Sequence, residues 1–182
     1  WDTGPRADLR GAHESRVYSA SPGVSEQPLP RARITAKLAG PQAALAGGDI
    51  AKAARAIMTT ETLAKGATAQ VDVGGQTVSI AGIAKGSGMI APDMATMLVF
   101  GFTDAKISQG VLQEIVSGAT VTTFNSITVD SDTSTSDSLV VTATGKADMA
   151  EITAVTDPRA AAFGDALRGV MLELAHLVVR DG

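Results

Sequence analysis

Residues 157–182 read DPRAAAFGDALRGVMLELAHLVVRDG, and this stretch constrains the fold more tightly than any other. Asp157 is a residue that caps a helix, Pro158 suits the first helical position because its missing N–H would have no partner there, and apolar residues then recur every three or four positions. Phe163, Leu167, Val170, Met171, Leu174, Leu177 and Val178 fall on one stripe. A helix of this length with one apolar face requires a surface to lie on. The rest of the sequence supplies strands. In QVDVGGQTVSI, residues 70–80, Val71 and Val73 alternate before Gly74-Gly75, and Val78 and Ile80 alternate after it, the pattern of a hairpin whose turn needs positive φ. TMLVFGF (96–102), TTFNSITVD (122–130) and SLVVTAT (138–144) read as three further strands, and GDIAKAARAIM (48–58) and SQGVLQEIVSG (108–118) as shorter helices. Strands and helices mix without a strict βαβ repeat. The expected class is therefore α/β in the broad sense, a layered α/β or α+β arrangement of mixed sheets with packed helices. LAGPQAALAGGD (38–49) reads as a turn or short linker.

Composition narrows the function classes. In 182 residues there are 15 basic and 19 acidic side chains, a net charge of −4, and no run of Lys or Arg interleaved with aromatics. Nucleic acid is not an expected partner. No apolar run approaches the ~20 residues that span a bilayer, and WDTGPRADLRGAHESR at the start has no apolar core of a signal peptide, so no membrane partner is expected and a cytoplasmic location is. The sequence lacks cysteine and has two histidines, His13 and His176. Disulfides, thiolate metal sites and cysteine nucleophiles are excluded from this chain, and a histidine-based triad or metal site is hard to assemble.

Two stretches invite a specific chemistry and fail its test. GIAKGSGM (82–89) combines glycines with Lys85, but it lacks the order of glycine, four residues, glycine, lysine, then Ser or Thr that cradles phosphate. On pattern alone it reads as a glycine-rich turn with an exposed lysine. VDSDTSTSD (129–137) carries Asp130, Asp132 and Asp137, but counting from Asp130 the sixth and twelfth places hold Thr135 and Val141, where a calcium loop needs glycine and glutamate. It reads as a polar turn between strands. His176 reads as a packed or rim histidine at the edge of the helical stripe.

Three longer pieces, in this order, change the weighing: AARAIMTTETLAK from Ala53, GIAKGSGMIAPDMATML from Gly82 and FNSITVDSDTSTSDS from Phe124. Together with SPGVSEQPLP from Ser21, they resemble the ornithine acetyltransferase family of arginine biosynthesis, also called glutamate N-acetyltransferases, which are autoprocessed N-terminal-threonine enzymes. The resemblance implies an N-terminal-nucleophile-like fold, here incomplete, and self-cleavage of the Ala95–Thr96 bond. Residues 1–95 would then be the C-terminal part of an α-chain region, and 96–182 the N-terminal part of a β-chain region. Thr96 would gain a free α-amino group, whose pKa lies below that of lysine and which can serve as general base for the hydroxyl of the same residue. That hydroxyl would take the acetyl group from N-acetylornithine, and glutamate would collect it.

By the same resemblance Lys85 contacts a substrate α-carboxylate, and Thr62 contacts substrate. Gly23 belongs to the oxyanion hole, where Pro22 stands in place of the family's threonine and supplies neither a hydroxyl nor an N–H. Losing one such donor costs on the order of 10²–10³ in rate. The resemblance implies no metal and no resident cofactor, and leaves acetyl-CoA open as a second acetyl donor. It implies small amino-acid substrates, and an α/β heterodimer or higher oligomer after cleavage. Two rivals share these residues: a related N-terminal-nucleophile aminopeptidase or amidase, in which water accepts the acyl group, and a non-catalytic truncated fragment. The resemblance also leads us to expect less than half of a family member's full length.

Overall fold

The computed structural model describes residues 50–87, 97–129 and 137–182. Its centre is a mixed four-stranded sheet in the order β1 (Lys65–Asp72), β2 (Thr77–Lys85), β3 (Leu98–Thr103), β4 (Ser138–Ala143). β1–β2 and β2–β3 are antiparallel, and β3–β4 is parallel. The hairpin expected at 70–80 joins β1 to β2. Gly74 and Gly75 take φ of 70° and 87°, which glycine adopts without steric cost, and Val73 N–H closes the turn on the Gln76 carbonyl at 2.8 Å.

Among the described residues three helices accompany the sheet: α1 (Ile50–Ala56), α2 (Gln109–Val121) and α3 (Pro158–Asp181). The long helix begins where the sequence places it. Asp157 accepts from Arg159 N–H at 2.9 Å, and Pro158 is the first helical residue. The predicted stripe is buried at Phe163, Leu167, Val170, Met171, Leu174 and Val178, joined by Ala160 and Ala175, while Leu177 is half-buried. Fully burying a side chain the size of Leu or Phe contributes about 1.5–3 kcal/mol, so α3 is the principal lid of the core. It packs on β1, β2 and α2. Inward-facing Ala67, Val78, Ile80, Ala84 and Val99 meet it or its neighbours in one continuous cluster.

Two sequence expectations fail here. TTFNSITVD is not a strand. Thr122 and Thr123 finish α2, with the buried Thr123 hydroxyl donating back to the Ala119 carbonyl at 2.8 Å, and Phe124–Ser126 is a short 3₁₀ turn that buries Phe124. The β-branched residues that signalled a strand are here consumed in winding off a helix. The second failure is the first half of the glycine-rich turn read at 82–89: residues 82–85 are the end of β2, with Lys85 buried rather than exposed. Gly82 is required by packing: a Cβ there would come within 2.8 Å of Leu174 Cδ1 and 3.3 Å of Val170 Cγ1. The segment 38–49, read as a turn, lies outside the described residues, as does the part of the polar turn at 130–136.

Candidate functional site

The end of the sheet away from the hairpin turn collects the polar chemistry. Lys65 opens β1 and Lys85 closes β2, one register step apart, since Lys65 pairs with Ala84. Alternation sends the two side chains to opposite faces. Lys65 points to the face that α3 covers and is 0 % exposed. Its ammonium donates to Asp181 Oδ2 at 2.5 Å, a salt bridge whose side chains are 0 % and 1 % exposed. Asp181 is the last residue of α3, so a charge pair joins the helix terminus to the first residue of the sheet.

Thr62 lies in the turn before β1 and is tied to the same carboxylate. Its N–H donates to Asp181 Oδ1 and Oδ2 at 3.1 and 3.3 Å, and its hydroxyl donates to Oδ1. Burial by itself raises the Asp181 pKa. The Lys65 and Thr62 hydrogen bonds and the Lys65 charge outweigh that and hold the carboxyl below the usual carboxylate range.

On the other side of this turn, Glu61 accepts through Oε2 from the Thr59 N–H and, at 3.2 Å, from the Thr59 hydroxyl. The residue is 7 % exposed, and Oε1 has no hydrogen-bond partner among the described residues. Burial raises its pKa, but the N–H groups of Thr59 and Glu61 and the nearby Lys85 charge bring it below the ordinary glutamate value. Thr60 and Ser87 hydroxyls lie 3.2 Å apart, which brings the turn against the residues that follow β2. α1 ends at Ala56, so Thr59 and Thr60 belong to this turn and not to the helix.

Lys85 is thus the last residue of β2, buried, opposite Leu98 in the ladder and electrostatically coupled to Glu61. Gly86 follows with φ of 145°, and a Cβ on it would lie 3.4 Å from Met97 Cα. The chain leaving β2 and the chain entering β3 approach each other closely at that point, and only glycine combines the backbone angle with the approach. Met97 is held on both sides: its N–H donates to Asp137 Oδ1 at 3.0 Å, and its carbonyl accepts from Ser138 N–H at 3.1 Å. Ala95, Thr96, Pro22 and Gly23 lie outside the described residues. The structure accordingly brings together Lys85 and the turn containing Thr62, next to the backbone of Met97.

Sequence reading missed three residues here, Lys65, Asp181 and Glu61, and placed Asp137 only in a polar turn. Lys65 carried a usable signal, because it continues the inward period of Ala67, Ala69 and Val71, where a charge demands a partner. The partner, 116 positions away, carried none. Among the described residues, no group of three His, Asp or Glu side chains is arranged to hold a metal, and no helix is long and apolar enough to cross a membrane.

Comparison with known proteins adds a family. The ArgJ family model matches residues 5–182. The chain is 54% identical over 176 residues to the arginine biosynthesis bifunctional protein ArgJ of Ruegeria pomeroyi and 54% identical over 176 residues to that of Gluconobacter oxydans, in each case covering 97% of this chain and 42% of the relative. Against the Bartonella henselae protein of the same name the identity is 50% over 169 residues. The chain spans less than half the length of these relatives.

Proposed function

We propose, proceeding from the fact that this chain belongs to the ArgJ family, that it forms the self-processing and acyl-carrying part of a cytoplasmic acetyltransferase of arginine biosynthesis. It moves acetyl from N-acetylornithine to glutamate. The relatives are named as bifunctional arginine biosynthesis proteins.

The observation that carries this reading is the pinned backbone at Met97. Met97, the residue that follows Thr96 in sequence, lies within contact distance of Gly86 at the end of β2 and is anchored by Asp137 and Ser138. A nucleophile that must attack the carbonyl of its own preceding residue needs such an anchor. The Thr96 hydroxyl adds to the Ala95 carbonyl carbon, the C–N bond breaks as the acyl group shifts to oxygen, and water cleaves the ester. The products are an Ala95 carboxylate and a free Thr96 amine. In the first half-reaction that amine accepts the hydroxyl proton as the hydroxyl attacks the acetyl carbonyl, and returns it to the departing amine of ornithine; in the second it accepts a proton from the attacking glutamate amine and returns it to the departing Thr96 oxygen. The ester then yields its acetyl group to the glutamate amine. Lys85 supports the reading as the ammonium for an α-carboxylate that both substrates share. A hydroxyl, an amine and hydrogen-bond donors suffice for these steps, so no resident metal or cofactor is assigned; acetyl-CoA would enter, if used, as a second acetyl donor.

Pro22 removes one oxyanion donor, and Gly23 retains its own N–H. The two chains produced by cleavage remain associated as a heterodimer.

Denaturing mass spectrometry tests the processing step. The 182-residue chain of 18.4 kDa, expressed within its full-length protein, is expected to separate at Ala95–Thr96. Thr96→Ala is expected to stay intact, and Thr96→Ser to cut. A full-length protein that folds and remains uncut after prolonged incubation, with Pro22 and equally with Pro22→Thr, overturns the assignment. Acetyl recovered on glutamate, as opposed to free acetate, separates transfer from hydrolysis.

A further inference from the structure

We propose that Asp181 and Lys65 are positioning residues that fix the Thr62 hydroxyl as a hydrogen-bond acceptor toward substrate, so that the group meeting Thr62 is the α-nitrogen N–H of an amino acid or N-acylamino acid and not its carboxylate. This rests on the reading of Thr62 as a substrate contact.

The argument is an inventory of hydrogens. A threonine hydroxyl has one hydrogen to give and two lone pairs. Asp181 is ionised and has none to give. Its Oδ1 accepts from both the N–H and the hydroxyl of Thr62, and its Oδ2 takes the Lys65 ammonium at 2.5 Å. The single hydroxyl hydrogen of Thr62 is therefore committed inward. What Thr62, an exposed residue, offers outward is oxygen lone pairs. A substrate carboxylate brought to that oxygen would set acceptor against acceptor, whereas an amide or ammonium N–H completes it.

Lys65 is what enforces this polarity. Were Asp181 protonated, its own O–H could turn to Thr62 and release the threonine hydrogen outward. A fully buried ammonium against Oδ2 prevents that, and the carboxyl lies below its usual range for the same reason. Lys85, across the Glu61 turn, is the complementary cation for the carboxylate. Together the two contacts read an α-amino acid by its nitrogen and its carboxylate separately, which N-acetylornithine, through its amide N–H, and glutamate, through its ammonium, both satisfy.

The test compares, in the full-length protein, N-acetylornithine with its ester isostere, 2-acetoxy-5-aminopentanoate, in which an oxygen replaces the amide N–H. Esters are intrinsically better acetyl donors, so the quantity read is the change between variants in the amide-to-ester ratio of kcat/KM. Thr62→Val is expected to lower that ratio about tenfold, the worth of one hydrogen bond, and Thr62→Ser to restore it. Asp181→Asn is expected to shift the ratio toward the ester by a similar factor, because the new amide N–H can donate to Thr62 and free its hydrogen. The double variant Lys65→Gln with Asp181→Asn removes both charges while keeping an amide pair, and is expected to show the same shift should the single variant not fold.

An unchanged ratio in Thr62→Val with a reduced rate on both donors overturns this inference while leaving Thr62 a substrate contact. Rates on both donors that equal the wild type overturn the contact itself. A folded Asp181→Asn protein or a folded double variant with the wild-type ratio overturns the positioning role. An intact Thr62→Val effect with neither aspartate variant folding supports the polarity of Thr62, and the ratio measured in Asp181→Glu, expected to match wild type, then decides the positioning role.

Discussion

Each end of α3 carries an ion pair, and the two pairs differ in almost everything but their formal description. At the N-terminus, Arg159 Nη2 meets Asp157 Oδ2 at 2.6 Å with side chains 27 % and 21 % exposed. At the C-terminus, Lys65 meets Asp181 with essentially no exposure. The first pair is local, two residues apart, and shares its members with a helix cap and with the Ala150 carbonyl, which Arg159 Nη1 reaches at 2.8 Å. Water can replace most of what it supplies. The second joins residues 116 positions apart and holds the Thr62 turn in its grip. Removing one member strands a charge where water does not reach. The hairpin end of the sheet is built by local rules, and the site end by long-range pairing.

Breaking the buried pair is expected to have the largest effect. Lys65→Met in the full-length protein leaves Asp181 without its cation and should lower stability by on the order of 3–5 kcal/mol, read from urea unfolding. Adding Asp181→Leu to it should recover part of the loss, because the unpaired charge goes while the Thr62 N–H still lacks its acceptor.

The pH dependence sharpens the same contrast. Asp181 has a folded-state pKa below the ordinary carboxylate value of about 3.9, so its contribution is complete above that value and is lost as the pH falls through the folded pKa. The stability gap between wild type and Asp181→Asn should therefore be widest near neutrality and close as the pH drops below about 4. A gap that stays constant down to the acid limit would show that the Asp181 charge contributes nothing.

Packing under the middle of α3 comes next. Gly82→Ala forces a methyl toward Leu174 and should cost about 1–3 kcal/mol, with the cost reduced when Leu174→Ala is combined with it, a coupling that a double-mutant cycle measures. At the hairpin, Gly74→Ala should cost more than Gly75→Ala. Both glycines have positive φ, worth roughly 1 kcal/mol against an L-residue, but a Cβ on Gly74 also lies 2.9 Å from Arg159 Cδ, whereas nothing lies within 4 Å at Gly75. The smallest effect is expected for Arg159→Ala, a slight fall in melting temperature, since its partner Asp157 keeps its cap on the helix and gains water. Equal losses from Arg159→Ala and Lys65→Met would erase the distinction between the two ends.

These same ends mark how far the sequence can be read. α3 was legible to the residue at its start because Asp157, Pro158 and a 3.6-residue period act locally, and the β1–β2 hairpin was legible because Gly74-Gly75 sits between two alternating runs. Gly82 misled, since a glycine that makes room for Leu174 and one that makes a turn look alike without the helix that packs on it. Thr122 and Thr123 misled for a related reason: β-branched residues favour strands on average, yet here their hydroxyls close α2. At the site, Lys85 and Thr62 were named through family resemblance, and composition and spacing would have left Lys85 on the surface. Asp181 lies past the apolar stripe and was not singled out. Its pairing with Lys65 depends on α3 running the full length of the sheet, which no window of sequence contains.

The β2–β3 ladder has a consequence for how the molecule would behave as two polypeptides. Six register pairs, from Ile80 with Thr103 to Lys85 with Leu98, bridge the segment in which the Ala95–Thr96 bond falls. A cut there leaves β1 and β2 on one piece, and β3, β4, α2 and α3 on the other, with α3 still lying across the strands of the first. Such an interface is a domain core divided by a single peptide bond: neither piece could shed the other without exposing the apolar face of α3 and an unpaired strand edge on each side. Dissociation and unfolding would then be one event, and the affinity between the two pieces would have no meaning apart from the folding of both.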